Sequence, residues 1–185
     1  MKRFACAFLL LFFLGRTMQP ASQESAGVWL DVPFVKQAED GCGSAAISMV
    51  LQYWSSHGAQ VFSERADAAT IQRRLYSRKV RGIYASDLES YLIESGFRVF
   101  PLHGEWKDLR EQLVRGRPLI VSLQPGNFKA PLHYVVVTGI DWQKAAVFIN
   151  DPVRGKLLRI ERADFEKEWR SNFNWMLLTL PEKAV

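Results

Sequence analysis

The chain has 185 residues, of which 48% are hydrophobic, so it is long and apolar enough to build one domain around a core. Its net charge of +5 is modest, and no basic motif interleaved with aromatic residues occurs, so nucleic acid is not an expected partner. Two cysteines are too few for a disulfide scaffold. No spacing of His, Cys and Asp suits a metal ion, and we expect no cofactor.

The N-terminal segment has the organisation of an export signal. Lys2 and Arg3 form a short basic start, and residues 4–15 are an uncharged apolar run. That run is too short to span a bilayer as a helix. We therefore divide the chain into a signal peptide or N-terminal anchor at 1–26 and one domain at 27–185. The expected location is the periplasm or cell envelope, with a membrane tether if the signal is not cleaved.

The stretch from Gln37 to Trp54 begins as a loop and is predicted to become a helix at Cys42. An extended segment, 27–35, precedes it, interrupted by Pro33. Apolar residues after the cysteine recur at helical spacing, which predicts one buried face. That face consists of Ala45, Ala46, Met49, Val50, Tyr53 and Trp54.

Cys42 is a candidate nucleophile because of its place at the start of this helix. The unpaired N–H groups in the first turn of a helix favour a thiolate over a thiol. Gly41 and Gly43 flank the cysteine, so the backbone there can turn tightly and approach another molecule closely. The alternative interpretation is a small apolar residue packed at a helix start.

Three further helices and a strand are predicted before the apolar period changes. A helix at 64–76 is favoured by its alanines, and a capping box opens the next helix at Ser86, which stops at Gly96. A short strand at 97–102 and a helix at 106–114 follow.

From Pro118 onward the pattern predicts strands. The predicted elements are strands at 118–123, 133–141, 145–150 and 156–160, a helix at 162–170 and a last strand at 174–180. A short connection between the second and third of these strands predicts an antiparallel hairpin. Helices first and a mostly antiparallel sheet second make an α+β arrangement, in which one crevice separates a helical half from a sheet half.

A cysteine nucleophile needs a base within hydrogen-bond reach and a third group that orients the base. The chain has three histidines, His57, His103 and His133. His133 starts the most apolar strand directly after a loop, which is where a rigid scaffold presents catalytic groups. An exposed histidine at a strand end is the simpler interpretation, and His103 also stays open as the base.

The hairpin suggests the third group. Its second strand ends in Asn150 and Asp151, so antiparallel pairing places Asp151, or Asn150, beside His133. Asp151 also precedes a proline, where aspartate commonly starts a turn, and both roles are compatible. For the oxyanion, the candidate donors are the backbone N–H of Cys42 and the side-chain amide of Gln37. An ordinary loop glutamine is the alternative for Gln37.

Gln37 with Cys42-Gly43, then HYVVVTGID from His133, then INDP around Asp151 resembles the papain-like cysteine peptidases of the bacteriocin-processing type. These enzymes remove double-glycine leader peptides, and they have stand-alone bacterial relatives. The resemblance implies a papain-like fold, with the cysteine helix of an N-terminal helical half packed on a C-terminal antiparallel sheet. It further implies Cys42 as nucleophile, His133 as base, Asp151 as orienting acid and Gln37 as oxyanion donor.

The implied function is an exported cysteine peptidase that hydrolyses a peptide bond of a peptide or protein, with a glycine-rich leader site as one candidate cleavage site. Two alternatives stay open: a catalytically silent peptide-binding module of the bacterial envelope, and an amide acyl transferase. A third interpretation, an envelope assembly factor, uses a basic cluster as a contact for acidic polymers or a membrane surface. The basic cluster consists of Arg73, Arg74, Arg78, Lys79 and Arg81. A solvated helix end is the simpler explanation of these charges.

Overall fold

The computed structural model describes residues 26–126 and 132–182. The segment proposed as an export signal lies outside these residues, apart from its last residue. Within the described ranges, no helix is both long enough and apolar enough to cross a membrane.

The described strands form one antiparallel sheet of seven strands. They are β1 Gly27–Trp29, β2 Phe97–His103, β3 Leu119–Leu123, β4 His133–Asp141, β5 Ala146–Asp151, β6 Gly155–Glu161 and β7 Trp175–Pro181. The order across the sheet is β2-β7-β3-β4-β5-β6. β1 pairs with the last residues of β4, on the part of its edge that β3 leaves free.

Six helices in the described residues cover both faces of this sheet. They are α1 Cys42–Ser56, α2 Ser63–Ala66, α3 Ala68–Leu75, α4 Ala85–Glu94, α5 Trp106–Val114 and α6 Arg162–Arg170. One core lies between α1–α4 and the sheet, and a second lies between α5, α6 and the opposite face. The predicted α+β fold, with the cysteine helix of a helical half packed on an antiparallel sheet, is confirmed.

The central strands contribute to both cores. In β4, Tyr134 and Val136 belong to the core under α1, while Val135 and Val137 belong to the core under α5 and α6. Because a strand buried on both faces needs apolar side chains at successive positions, residues 134–137 of β4 are an unbroken hydrophobic run in the sequence.

More of α1 is buried than the one apolar face that the sequence predicts. The predicted face is covered, and residues on the other sides of the helix are buried as well, among them Ile47 and Leu51. Ser48 is also fully buried and donates its hydroxyl to the carbonyl of Ala66 in α2. Cys42 is therefore presented at the end of a helix that neighbouring elements hold in place along most of its length.

Two predicted helix boundaries are wrong for local reasons. The single helix expected at 64–76 is two helices, because the backbone is extended at Asp67 and its carboxylate caps α3 by accepting from the N–H of Thr70. The capping box predicted at Ser86 is absent. The chain is extended up to the residue before Ala85 and enters α4 directly there, so Ser86 already lies inside the helix.

Candidate active site

Three of the predicted site residues meet where the helical half contacts one end of the sheet. Cys42 is the first residue of α1, His133 is the first residue of β4, and Asp151 is the last residue of β5. Because β4 and β5 are antiparallel, the start of one lies beside the end of the other. The imidazole of His133 hydrogen-bonds to Asp151 and lies close enough to Cys42 for the two side chains to interact.

The His133 ring is oriented by a buried carboxylate. Its Nε2–H donates to Oδ1 of Asp151 over 2.9 Å, which leaves Nδ1 as the ring nitrogen available to Cys42. The side chain of His133 is 16% exposed and that of Asp151 is 3% exposed. A base held by one nitrogen and aimed at sulfur with the other can take and return the thiol proton.

A β-bulge decides which residue of β5 faces His133. The extra residue, Thr138, interrupts the pairing of β4 with β5, and beyond it Val136 lies opposite Asn150. Because side chains alternate along a strand, Asp151 then shares the face of His133. Without the bulge the register nearer the hairpin turn would continue, and Asn150 would take that face instead.

Asn150 has a different task in the structure. It is fully buried, its Nδ2 donates to the carbonyl of Val32, and its Oδ1 accepts from the N–H of Leu157. The amide therefore fastens the segment after β1 and strand β6 to β5. Of the two residues left open by the hairpin argument, the structure brings only Asp151 to His133.

Asp151 remains charged in spite of its burial. Burial by itself raises the pKa of a carboxyl group, but here the pKa is lowered by the hydrogen bond and charge of His133 and by two backbone donors. Those donors, the N–H groups of Val153 and Arg154, both reach Oδ1 at 2.9 and 3.1 Å. Asp151 thus starts a turn and orients the imidazole at once.

His133 holds its proton more tightly than an ordinary histidine. Burial alone would lower its pKa, but the hydrogen bonds and charges of Asp151 and Cys42 outweigh this effect and raise the pKa to about 9. The ring is therefore an imidazolium at neutral pH. An imidazolium in this position can donate its proton to a neighbouring group.

Gln37 lies on the loop at 37–41 that leads into α1. Its backbone N–H donates to the carbonyl of Pro152 over 3.1 Å, so the loop is tied to the turn that follows Asp151. Its side-chain Oε1 is buried and has no hydrogen-bond partner among the described residues. No described residue hydrogen-bonds to this oxygen in the structure, and the role of Gln37 as an oxyanion donor stays a prediction.

The glycines beside Cys42 are needed for close packing and not for an unusual turn. The φ of Gly41 is −100°, and a Cβ there would lie 3.0 Å from the carbonyl oxygen of Ala38. A Cβ on Gly43 would lie 3.2 Å from Cβ of Ile83. The left-handed conformation in this loop belongs to Asp40, with φ +51°.

The other two histidines lie away from Cys42. His57 caps the far end of α1, about 20 Å along the helix, and its Nδ1 donates to the carbonyl of Tyr53. His103 ends β2, three strands from β4 and thus about 14 Å away, and it donates to the carbonyl of Phe173. Neither is brought into the site.

Part of the basic cluster is already paired with acidic residues of the chain. Arg74 pairs with Glu94 of α4, and Arg81 pairs with Asp40 of the loop before α1. Arg73 donates to a hydroxyl of its own helix, while the other two members are exposed. A contact with the envelope through this cluster stays a prediction. Among the described residues, no group of three or more His, Cys, Asp or Glu side chains is arranged to hold a metal ion.

Sequence reasoning missed the pair formed by Asp40 and Arg81. Its members are 41 positions apart, and no local period connects them. The available signal was an acidic residue two positions before the candidate nucleophile, with an arginine beside a glycine further along the chain.

Several solved structures share this fold. A C39-like peptidase from Bacillus anthracis matches with a TM-score of 0.66 and 20% identity, over 85% of this chain and 99% of that one. The peptidase domain of Streptococcus ComA, a bifunctional ABC transporter involved in quorum sensing, matches with a TM-score of 0.62 and 23% identity, over 80% of this chain and 97% of that one. A double-glycine motif protease from an AMS/PCAT transporter, solved with a leader peptide, matches with a TM-score of 0.58 and 21% identity, over 83% of this chain and 94% of that one.

The sequence match is at the level of the family. No curated protein is similar enough in sequence to match this chain. Residues 29–174, however, match the profile of the Peptidase_C39 like family. This span contains α1, β4 and β5, and with them every residue predicted for the site. The resemblance drawn from the sequence is confirmed, and the chain belongs to the Peptidase_C39 like family of cysteine peptidases.

Proposed function

We propose that the protein is an exported cysteine peptidase that hydrolyses a peptide bond with Cys42 as nucleophile, His133 as general base and acid, and Asp151 as the orienting carboxylate. The observation that carries this proposal is that one imidazole hydrogen-bonds to a buried carboxylate and interacts with the cysteine at the start of α1. Such a chain of three groups is the arrangement that activates a thiol for acyl transfer.

The first chemical step is attack by the Cys42 sulfur on the carbonyl carbon of the substrate. A C–S bond forms, and the π electron pair of the carbonyl moves to its oxygen. The backbone N–H of Cys42, at the first position of α1, has no intrahelical acceptor and is available to that oxygen. We assign the second donor to the side-chain amide of Gln37.

Collapse of this intermediate breaks the C–N bond, and the imidazolium of His133 gives its proton to the leaving amine. The neutral ring then takes a proton from water, whose oxygen attacks the thioester. Collapse of the second tetrahedral intermediate breaks the C–S bond, releases the acid and leaves the sulfur of Cys42 as a thiolate beside the imidazolium of His133, as at the start. Throughout, Asp151 holds Nε2–H, keeps the ring oriented and stabilises its positive charge.

For the substrate, we propose a peptide segment with a glycine-rich cleavage site. The support is family membership together with the likeness to a double-glycine motif protease solved with its leader peptide. The export proposal rests on the basic and apolar pattern of residues 1–26 alone.

The test is hydrolysis of a fluorogenic peptide that carries Gly-Gly before an aminocoumarin amide. Cys42→Ala and His133→Ala should abolish release of the fluorophore, and His103→Ala should not change it. Trapping of a thioester by mass spectrometry should locate the acyl group on Cys42. Hydrolysis that persists in Cys42→Ala would refute the proposed nucleophile.

The same assay separates the alternatives. If glycinamide in the buffer diverts most of the acyl group into an amide product, the protein is an acyl transferase. Stoichiometric binding of the peptide with no thioester and no product would instead identify a silent binding module. Arginine substitutions in the basic cluster that abolish function while Cys42→Ala does not would indicate the envelope factor.

A further inference from the structure

The loop that delivers the chain to Cys42 contains a strained residue. Asp40 has a φ of +51°, in the left-handed region that residues other than glycine rarely adopt. The N–H of the next residue, Gly41, donates to the carbonyl of Ala38 over 3.1 Å, so the turn is closed at this point. Strain of this kind persists only where surrounding contacts enforce it.

The enforcing contact comes from a second strained residue. Arg81 has a φ of +49° and lies in a tight turn closed by two hydrogen bonds between Ser77 and Gly82. Its Nε donates to Oδ2 of Asp40 over 3.2 Å, and its Nη2 donates to Oδ1 over 3.3 Å. Two parallel bonds fix both the position and the orientation of the carboxylate.

Other groups of the helical half hold the same loop. The hydroxyl of Tyr76 donates to Oδ2 of Asp40 over 3.1 Å, and the side chain of Gln72 donates to the carbonyl of Glu39. At its other end, the loop is tied to the sheet half through the backbone bond from Gln37. The loop is thus held both by the helical half and by the sheet half.

We propose that the ion pair between Asp40 and Arg81 positions the oxyanion site, by fixing the loop that carries the Gln37 amide and the backbone N–H of Cys42. The inference rests on the proposed function, since it concerns the same reaction. Neither member of the pair touches the reacting atoms in this scheme, so both are positioning residues.

The exposure of Arg81 argues against a role of the pair in stability alone. The side chain of Arg81 is 72% exposed, and exposed ion pairs contribute little to the free energy of unfolding. Two residues in left-handed conformations are an unfavourable way to build such a pair. Its effect is instead expected where a small displacement matters most, at donors aimed at a developing charge.

The experiment compares variants of the full chain. Asp40→Gly and Arg81→Gly each remove the pair while allowing the left-handed backbone. Asp40→Asn tolerates that backbone and keeps an acceptor oxygen. Arg78→Ala is the matched control, an exposed arginine of the same turn for which the described residues offer no partner. Thermal unfolding is recorded for every variant.

Two probes separate the oxyanion from the thiol. A peptide aldehyde ending in Gly-glycinal accepts the Cys42 sulfur at its carbonyl carbon and places the electron pair on oxygen, so its affinity depends on the oxyanion donors. Iodoacetamide alkylates the same sulfur with loss of iodide and forms no oxyanion. Mass spectrometry of the Cys42 peptide gives the alkylation rate without interference from Cys6.

For the two glycine variants we expect kcat for the Gly-Gly coumarin peptide to fall about tenfold to a hundredfold, with KM unchanged. Affinity for the aldehyde should fall by a similar factor, while the alkylation rate and the unfolding temperature stay near those of the wild type. Asp40→Asn should recover part of the loss. The double variant should be no worse than either single variant.

The inference is overturned if the glycine variants bind the aldehyde as well as Arg78→Ala does. It is also overturned if aldehyde affinity, alkylation and unfolding temperature all fall together, because that result indicates a structural role. A wild type that binds the aldehyde but cuts no peptide overturns the proposed hydrolysis and leaves the pair measurable by aldehyde affinity. A wild type that neither binds nor cuts overturns both.

Discussion

Replacing Asp151 with asparagine should change the proton affinity of His133 while leaving its surroundings nearly intact. Asparagine has the shape of aspartate and keeps an oxygen for the backbone N–H groups of Val153 and Arg154. The pKa of His133 is raised from 6.5 to about 9 in the native protein. That difference corresponds to about 3 kcal/mol in favour of the imidazolium, and Asp151 supplies a large part of it.

Loss of the carboxylate charge should lower the pKa of His133 by about one to three pH units. In the proposed mechanism the imidazolium donates the proton to the leaving amine, so activity should fall when His133 loses its proton. In the wild type this alkaline limb should lie near pH 9, and in Asp151→Asn it should move to lower pH. The measurements are kcat/KM against pH and the NMR titration of the imidazole nitrogens.

Asp141→Asn is the matched control for this prediction. Asp141 is a buried carboxylate at the other end of β4, where it accepts from the N–H of Lys144. Its replacement should leave the His133 titration unchanged. If His133 still titrates near pH 9 in Asp151→Asn, the carboxylate does not set its proton affinity, and the assigned role of Asp151 is wrong.

The remaining predictions concern stability. Because the pKa of His133 is raised on folding, its contribution to stability is complete below pH 6.5 and is lost as pH rises through about 9. The free energy of unfolding in urea, measured below pH 6.5 and above pH 9, should therefore differ by up to about 3 kcal/mol. The difference should be much smaller in His133→Gln. Gly43→Ala places a Cβ 3.2 Å from Ile83 and should cost about 1–3 kcal/mol, part of which Ile83→Ala should restore if overpacking is the cause. Asn150→Ala leaves two backbone groups unpaired and should cost about 2–4 kcal/mol of unfolding free energy, without moving the alkaline limb of kcat/KM against pH. A shift of that limb would contradict a purely structural role for Asn150.

Local patterns predicted most of the elements. The start of α1 at Cys42 and the full extents of β4 and α6 follow from hydrophobic period and turn residues alone. Antiparallel pairing then placed the start of β4 beside the end of β5 without any knowledge of the third dimension. The candidates Gln37, Cys42, His133 and Asp151 (or Asn150) came from the residues themselves, and the family resemblance then implied a single role for each.

What the sequence did not reveal depends on contacts between distant segments. The bulge at Thr138 has no signal of its own, yet it selects Asp151 over Asn150. The break at Asp67 arises because a side chain competes for a backbone N–H. The pair between Asp40 and Arg81 forms because two turns with left-handed residues lie side by side, and residue propensities do not predict such backbone conformations.

The pairing of β1 with β4 fixes where the chain enters the domain. Gly27 lies opposite Asp141, the last residue of β4, whereas His133 is its first. Nine residues of strand span about 27 Å, so the entry point and the sulfur of Cys42 lie near opposite ends of β4. The described chain therefore enters the domain at the end of β4 opposite to His133, and β1 does not approach the side chain of Cys42.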